Sequence, residues 1–464
     1  MRIERDTLGE IQVPDDALWG AQTQRAVENY PISGLREHPI FIRSFIILKK
    51  SAALANRELN ALDGKLADAI VAACDELLKN DTKYRNQFVV DVFQAGAGTS
   101  FNMNVNEVIA NLANRSLGGK PGDNKPVHPN DHVNAAQSTN DVFPTAIRVA
   151  TTLLLDEFWP EIDELANAFD DRGDAFAGII KSGRTHLQDA VPVTLGQEFK
   201  AYAAAVRRAT RLLRDSAAEL RGLAIGGTAV GTGINTPKGY RFAVVKYLNQ
   251  MTGETFTSMD DLREGMQSQL PLSATSGAMR NLALEMTRIC NDLRLLASGP
   301  QTGLAEIILP AVQPGSSIMP GKVNPSMVEA MNQVLFHVIG SDTAIAYATQ
   351  AGQLELNVMM PLMAFEILFS IDILKNFLPV FVAKCIRGIE ADRAQCEAYY
   401  ISSPSLATAL NPLIGYARAA EIAKESAKSG KPIPQLLREK KLLSEEEIAR
   451  IFTPEFLAGQ AERQ

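Results

Sequence analysis

A mainly α subunit of three domains, built around a long central helical bundle, is what this sequence predicts. Three observations carry the prediction. Apolar residues recur at three- and four-residue spacing along five segments, which marks one buried stripe per helix. Several of these stripes belong to helices that can exceed about 25 residues, roughly 40 Å at 1.5 Å rise per residue, a length suited to a bundle. The clusters of hydroxyl and amide residues fall between the stripes, where a bundle has no need of them.

In chain order, residues 1–137 mix short helices with Gly-, Asn- and Pro-rich connections and form an N-terminal, mostly helical domain. Residues 138–392 hold the bundle. Its stripes run through Leu154, Phe158, Ile162, Leu165 and Phe169; through Phe199, Tyr202, Val206, Ala209 and Leu213, continued by Ala217 and Leu220; and through Leu282, Met286, Ile289, Leu293 and Leu296, stopped by Gly299-Pro300. Val328, Met331, Leu335 and Val338 give the fourth, and Ile367, Ile371, Leu374 and Leu378 the fifth. Residues 393–464 form a small C-terminal helical domain, where Ser444 and Glu447 have the spacing of a capping box that opens a final helix.

The totals bound the function. The chain has 464 residues, 46% hydrophobic and 21% charged, in the ordinary range of a soluble enzyme. A net charge of -7 argues against a nucleic-acid partner and requires that any anionic substrate be held by local positive groups. The opening MRIERDTLGE is charged where a secretory signal needs an apolar run, so a cytoplasmic location is expected. The apolar stretch AFEILFSIDILKNFLPVFVAKC is broken by Glu366, Asp372 and Lys375, which excludes a membrane span there. Cys74, Cys290, Cys385 and Cys396 lie far apart and read as reduced core thiols.

No metal site is expected, since the five histidines are scattered; His128 and His132 are four apart, but Pro129 between them makes turn residues the better reading. The glycine-rich GGTAVGTG, 226–233, lacks the P-loop Lys-Ser/Thr and follows a long helix rather than a strand, so a nucleotide cofactor is discounted. A hydrolase nucleophile elbow, Gly-x-Ser-x-Gly, is absent from the sequence.

Four polar segments remain. QAGAGTSFNMN offers Thr99, Ser100 and Asn102; AQSTNDVFPTA offers Ser138, Thr139, Asn140 and Asp141; SGRTHLQDAVP offers Thr185 and His186; and PGSSIMPGKVNP, 314–325, offers Ser316, Ser317, Lys322 and Asn324. Each of the first three has an ordinary reading: a tight turn, a helix N-cap, a hydrogen-bonded structural histidine. The fourth resists one, because Ile318, Met319 and Val323 sit among its polar groups as if the loop folds over something.

Neutral donors with one cation suit a particular reaction. Removing a proton from carbon next to a carboxylate leaves a doubly charged aci-carboxylate, and donors aimed at it lower the barrier, each by about 2.7 to 4 kcal/mol and less than additively. Lys322 holds a second carboxylate as a point charge. Ser316 serves as base only where backbone donors and a nearby cation depress its pKa, on a loop that closes with Gly315 and Gly321 as hinges.

Taken together, GSSIMPGKVNP, QAGAGTSFNMNVNEVIAN, HPNDHVNAAQSTNDVFPTA, GRTHLQDAVPVTLGQEF, GGTAVGTGINTP, NDLRLLASGP and WGAQTQRAVENYPISG resemble the fumarase/aspartase superfamily over nearly the whole chain. The resemblance implies a homotetramer whose sites are shared between subunits, acting without a redox cofactor on a four-carbon dicarboxylate by reversible anti-elimination to fumarate. It implies Ser316 as base, Thr99, Ser138, Thr139 and Ser317 on the carboxylate that becomes the aci-form, and Asn140 near the leaving group. Lys322, Asn324, Thr185 and His186 would hold the other carboxylate, with Glu329 at the position that pairs with the histidine. GAGTS, STND, NQVLFHVIG, AGQLELNV and NTPK are similar to the aspartase branch, GGTAVGTG and HPND to the fumarase branch. The turns nearest the chemistry favour loss of ammonia from L-aspartate, with loss of water from malate as the alternative.

Overall fold

All five apolar stripes are helices in the computed structural model, which describes residues 1–459. They are Thr139–Ala175, Leu195–Ala218, Leu270–Leu296, Ser326–Gln350 and Met360–Lys384. Two exceed 25 residues, at 37 and 27. The second stripe ends earlier than its pattern: after Ala218 a 3-10 turn, Glu219–Arg221, carries Leu220 into the core. The chain is mainly α, and its strands form only two-stranded ribbons among the described residues. No described helix is long and apolar enough to cross a membrane.

Contacts divide the chain into two compact units, and the long helices contribute residues to both. The first unit takes Met1–Trp159, Arg211–Asn281 and Phe336–Leu374; the second takes Pro160–Thr210, Leu282–Leu335 and the chain from Lys375 onward. In the first, the ribbon Arg2–Asp6 with Gly9–Val13 precedes the helices Ala21–Asn29, Pro39–Glu58, Gly64–Lys79 and Thr99–Ser116. Phe41, Phe45, Phe101 and Phe143 are wholly buried and meet at ring-centroid distances of 5.2 to 5.7 Å, mostly edge to face. Gly98, which leads into the Thr99 helix at φ 82°, is required by this packing: a Cβ there would lie 2.0 Å from the Phe143 ring.

In the second unit, Phe169, Phe176, Phe199 and Tyr202 pack between the Thr139 and Leu195 helices. A separate apolar cluster gathers Ile180, Leu406, Leu410, Ile422, Ile433, Leu436, Ile448 and Ile451. The capping box forms as its spacing predicts, Ser444 Oγ accepting the Glu447 N–H while Glu447 accepts the Ser444 N–H. That helix is not the last, since Pro454–Leu457 adds a further turn. All four cysteines are buried and free. Burial pushes the Cys74, Cys385 and Cys396 thiols up to about 12, and Cys290 upward as well, which leaves them protonated and inert.

One buried carboxyl gives the first unit a pH dependence. Glu37 is 4% exposed; burial first, and then the charge of Asp91, push it up to about 8. It accepts one hydrogen bond, from Gln94 Nε2 at 3.1 Å, and Gln94 in turn accepts the Phe101 N–H in the first turn of the Thr99 helix. Because the folded pKa is raised, Glu37 favours folding most below pH 4.5 and loses that contribution as pH rises toward 8, by about 1.4 kcal/mol per unit. Glu37→Gln keeps the acceptor without the proton, so its melting temperature relative to the parent should climb from pH 5 to pH 8. Parallel curves would contradict this.

Candidate active site

Two of the polar segments open helices, and the structure bonds these two openings together within the first unit. Ser138 caps the Thr139 helix: its Oγ accepts the Asn140 N–H at 3.2 Å, and Asp141 returns the contact by accepting the Ser138 N–H at 2.9 Å. The ordinary N-cap reading of this segment is therefore true as far as it goes. From the first turn of the Thr99 helix, Asn102 Nδ2 donates to Thr139 Oγ1 at 2.9 Å. Each of these two hydroxyls accepts from the protein, which leaves its hydrogen to give to a ligand. The N–H groups and positive dipole ends of both helices add to an environment that favours an anion. Asn140 donates its amide to the Ala229 carbonyl at 2.8 Å, so its Oδ1 is the end left for a ligand.

Two buried ionisable groups, Asp141 and Lys49, support this cluster. Asp141 is wholly buried and also accepts the Gly226 and Thr228 N–H groups, at 3.0 and 2.9 Å, which ties the glycine-rich segment to the helix start. Burial pushes its carboxyl up to about 6, against those backbone donors and the charge of Lys49. Lys49 is buried in turn, its Nζ 2.9 Å from both Asn134 Oδ1 and Gln137 Oε1, and burial draws it down to about 7. The glycine-rich segment does have a strand before it, contrary to the sequence expectation. Gly222–Leu223 pairs in parallel with Thr257–Ser258, but it is two residues long.

Sequence reasoning missed Lys49. The available signal was its register, since it falls on the same helical stripe as Ile42, Phe45 and Ala52, and a lysine at a core position needs partners. His128 and His132 are turn residues, as read: both accept backbone N–H groups through Nδ1 around the Pro129–Val133 turn.

In the second unit, Thr185 ends the strand Ile180–Thr185, which pairs with Gln188–Thr194. The two-residue turn between them is His186-Leu187, at φ 56° and 57°. Such a turn normally carries Asn-Gly, and holding His and Leu in this region costs of order 1–3 kcal/mol each. Thr185 and His186 are exposed, and the His186 imidazole makes no hydrogen bond among the described residues. Glu329, in the first turn of the Ser326 helix, has Arg294 as its ionic neighbour in this chain, at 3.9 Å.

The loop 314–325 is gathered at its neck. Gly315 N–H donates to the Lys322 carbonyl at 2.8 Å, and Asn324 Nδ2 donates to the Gly315 carbonyl at 2.6 Å. A Cβ on Gly315 would lie 2.5 Å from that Lys322 oxygen, so this glycine is required by close approach rather than as a hinge. Gly321 has φ 79°, in the left-handed region that favours glycine. Ser316 Oγ accepts the N–H groups of Ile318 and Met319, at 3.2 and 3.0 Å, the kind of donors a serine base requires. Ser317 and Lys322 are exposed, as are Ile318, Met319 and Val323 at the tip, Ile318 by 83%.

Thus Ser138, Thr139 and Asn140 share one helix start, bonded through Asn102 to the helix that Thr99 opens; Ser316, Ser317, Lys322 and Asn324 share one loop; and Thr185 and His186 are adjacent at one hairpin end. Comparison with known proteins agrees in class. A family model described as Lyase matches residues 9–340, and one described as Fumarase C C-terminus matches 406–459. The chain is 47% identical to an aspartate ammonia-lyase of Helicobacter pylori, over 98% of this chain and 97% of the relative. It is 50% identical to a class II fumarate hydratase of Halobacterium salinarum, over 98% and 96%. Among solved structures, a fumarate lyase:delta crystallin from Brucella melitensis superposes with a TM-score of 0.95 at 46% identity, covering 99% of this chain and 100% of the other. A class II fumarase from Schistosoma mansoni gives 0.93 at 35% identity, covering 99% of each. Fold and matches define a lyase. The chain belongs to the fumarase/aspartase superfamily.

Proposed function

We propose that this chain is a carbon–nitrogen lyase that eliminates ammonia reversibly from L-aspartate to give fumarate. The observation that carries the reading is the orientation of the donors. Ser138 and Thr139 each have an acceptor lone pair filled by the protein and a hydrogen to give, and they sit on a helix start bonded to that of Thr99. With Ser317 they would receive the carboxylate whose charge doubles. Ser316, its Oγ already accepting two N–H groups, takes the proton from the carbon beside that carboxylate, and the C–N electron pair leaves with the amine near Asn140. Lys322, Asn324, Thr185 and His186 hold the other carboxylate. The reaction changes no oxidation state overall, so this reading calls for no redox cofactor.

We read the active form as a cytoplasmic homotetramer with sites shared between subunits, each subunit divided along the sequence at about 137 and 392. Identity to aspartate ammonia-lyases of Helicobacter, Bacillus and Escherichia at 45–47% over nearly full length supports ammonia as the leaving group. A second reading, hydration of fumarate to malate, is favoured by the 50% identity to the Halobacterium class II fumarate hydratase. One incubation separates them. Purified protein with fumarate should form aspartate, and only when ammonium is present; malate formed without ammonium would replace the first reading by the second.

A further inference from the structure

A second set of charges lies behind the His186 turn and takes no direct part in the proposed chemistry. Glu306 is wholly buried and joins two cations on one strand: Oε1 accepts from Arg184 at 2.8 Å, and Oε2 lies 2.7 Å from Lys181 Nζ. Lys181, 1% exposed, directs its hydrogens at both oxygens of Glu198, at 2.9 and 2.8 Å. Two positive and two negative groups therefore balance. Arg184 also packs its guanidinium over the Tyr399 ring, 5.3 Å from the centroid, and it immediately precedes Thr185 and His186 in the chain.

Glu306 is held by its backbone as well. Its N–H donates to the Leu296 carbonyl at 2.9 Å, where the Leu270 helix ends, and its carbonyl accepts from Asp392 at 3.0 Å. The next two residues, Ile307–Ile308, pair with Glu390–Ala391, and the chain then runs directly to Pro314 and the loop neck. One residue is thus the fixed root of the loop segment through its backbone and the brace of the hairpin through its side chain.

We infer that Glu306 is a positioning residue, which sets the hairpin end at Thr185 and His186 and the root of the 314–325 loop in a common frame. This rests on the proposed role of those two segments in binding and proton removal. A turn that places His and Leu in left-handed backbone tends to relax unless its strands are held, and Glu306 fastens the strand at Arg184, two residues before His186. Glu198 serves as the built-in comparison: it carries the same charge and touches the same Lys181, but it does not reach Arg184.

Glu306→Gln and Glu198→Gln each remove one negative charge from the same set. A merely structural role predicts similar losses in both; a positioning role predicts that Glu306→Gln lowers kcat/KM by about 10- to 100-fold, with kcat itself reduced. Glu198→Gln should stay within about threefold of the parent. Equal losses, or a Glu306→Gln variant within threefold of the parent, would overturn the inference. Should Glu306→Gln fail to fold, Lys181→Met/Glu306→Gln leaves Arg184 and Glu198 as a balanced pair; it should fold and stay slow, and full recovery of activity with stability would overturn the inference. Amide hydrogen exchange across 185–187 and 314–325 should quicken in Glu306→Gln and not in Glu198→Gln, and exchange unchanged in both segments would overturn it too. Exchange is readable whichever product forms, whereas a parent protein inactive on fumarate would sink the proposed function alone.

Discussion

Ser316→Ala is expected to abolish turnover, by about 10³-fold or more if the serine is the base, while leaving folding and assembly intact. The reason lies in what the side chain touches. Its Oγ accepts two backbone N–H groups, from Ile318 and Met319, both in an exposed tip where water replaces a lost acceptor at little cost. The neck contacts between Gly315, Lys322 and Asn324 do not use Ser316 at all. Steady-state kinetics on L-aspartate with a parallel melting curve separates the two effects. Normal activity in the alanine variant would exclude Ser316 as the base.

Lys322→Ala should also be severe, and for a different reason. Its backbone carbonyl holds the neck, whereas its side chain is exposed, so alanine preserves the loop and removes only the cation. Losing a point charge that pairs with a carboxylate in a closed site costs about 2–5 kcal/mol. We expect KM for L-aspartate to rise and kcat to fall together. A KM equal to that of the parent would count against the carboxylate role.

Much of the fold was legible because it rests on periodicity. Val328, Met331 and Leu335 can only line one helix face, and they do so whatever surrounds them. Helix ends were less so: Leu220 keeps the stripe's spacing but leaves the helix in a tighter turn, a choice made by packing rather than by local sequence. At the candidate site, hydroxyl and amide clusters were visible because a bundle does not need them. What joins them was not. The Asn102–Thr139 bond spans 37 residues, Asp141 reaches Gly226 across 85, and Glu306 reaches Arg184 across 122. No local pattern reports such pairings. Gly315 shows the same limit on a small scale, since a glycine needed for close approach and a glycine needed for swinging look alike in a sequence.

The gathered neck of the 314–325 loop has a practical corollary. Its fastening involves Gly315, Lys322 and Asn324, and it holds Ile318 and Met319 by backbone groups, their N–H groups on Ser316 and the Met319 carbonyl accepting the Lys322 N–H at 3.3 Å. The tip is thus an interchangeable cap on a fixed collar. Side chains at 318 and 319 can be varied while these backbone bonds keep the serine and the lysine where they are.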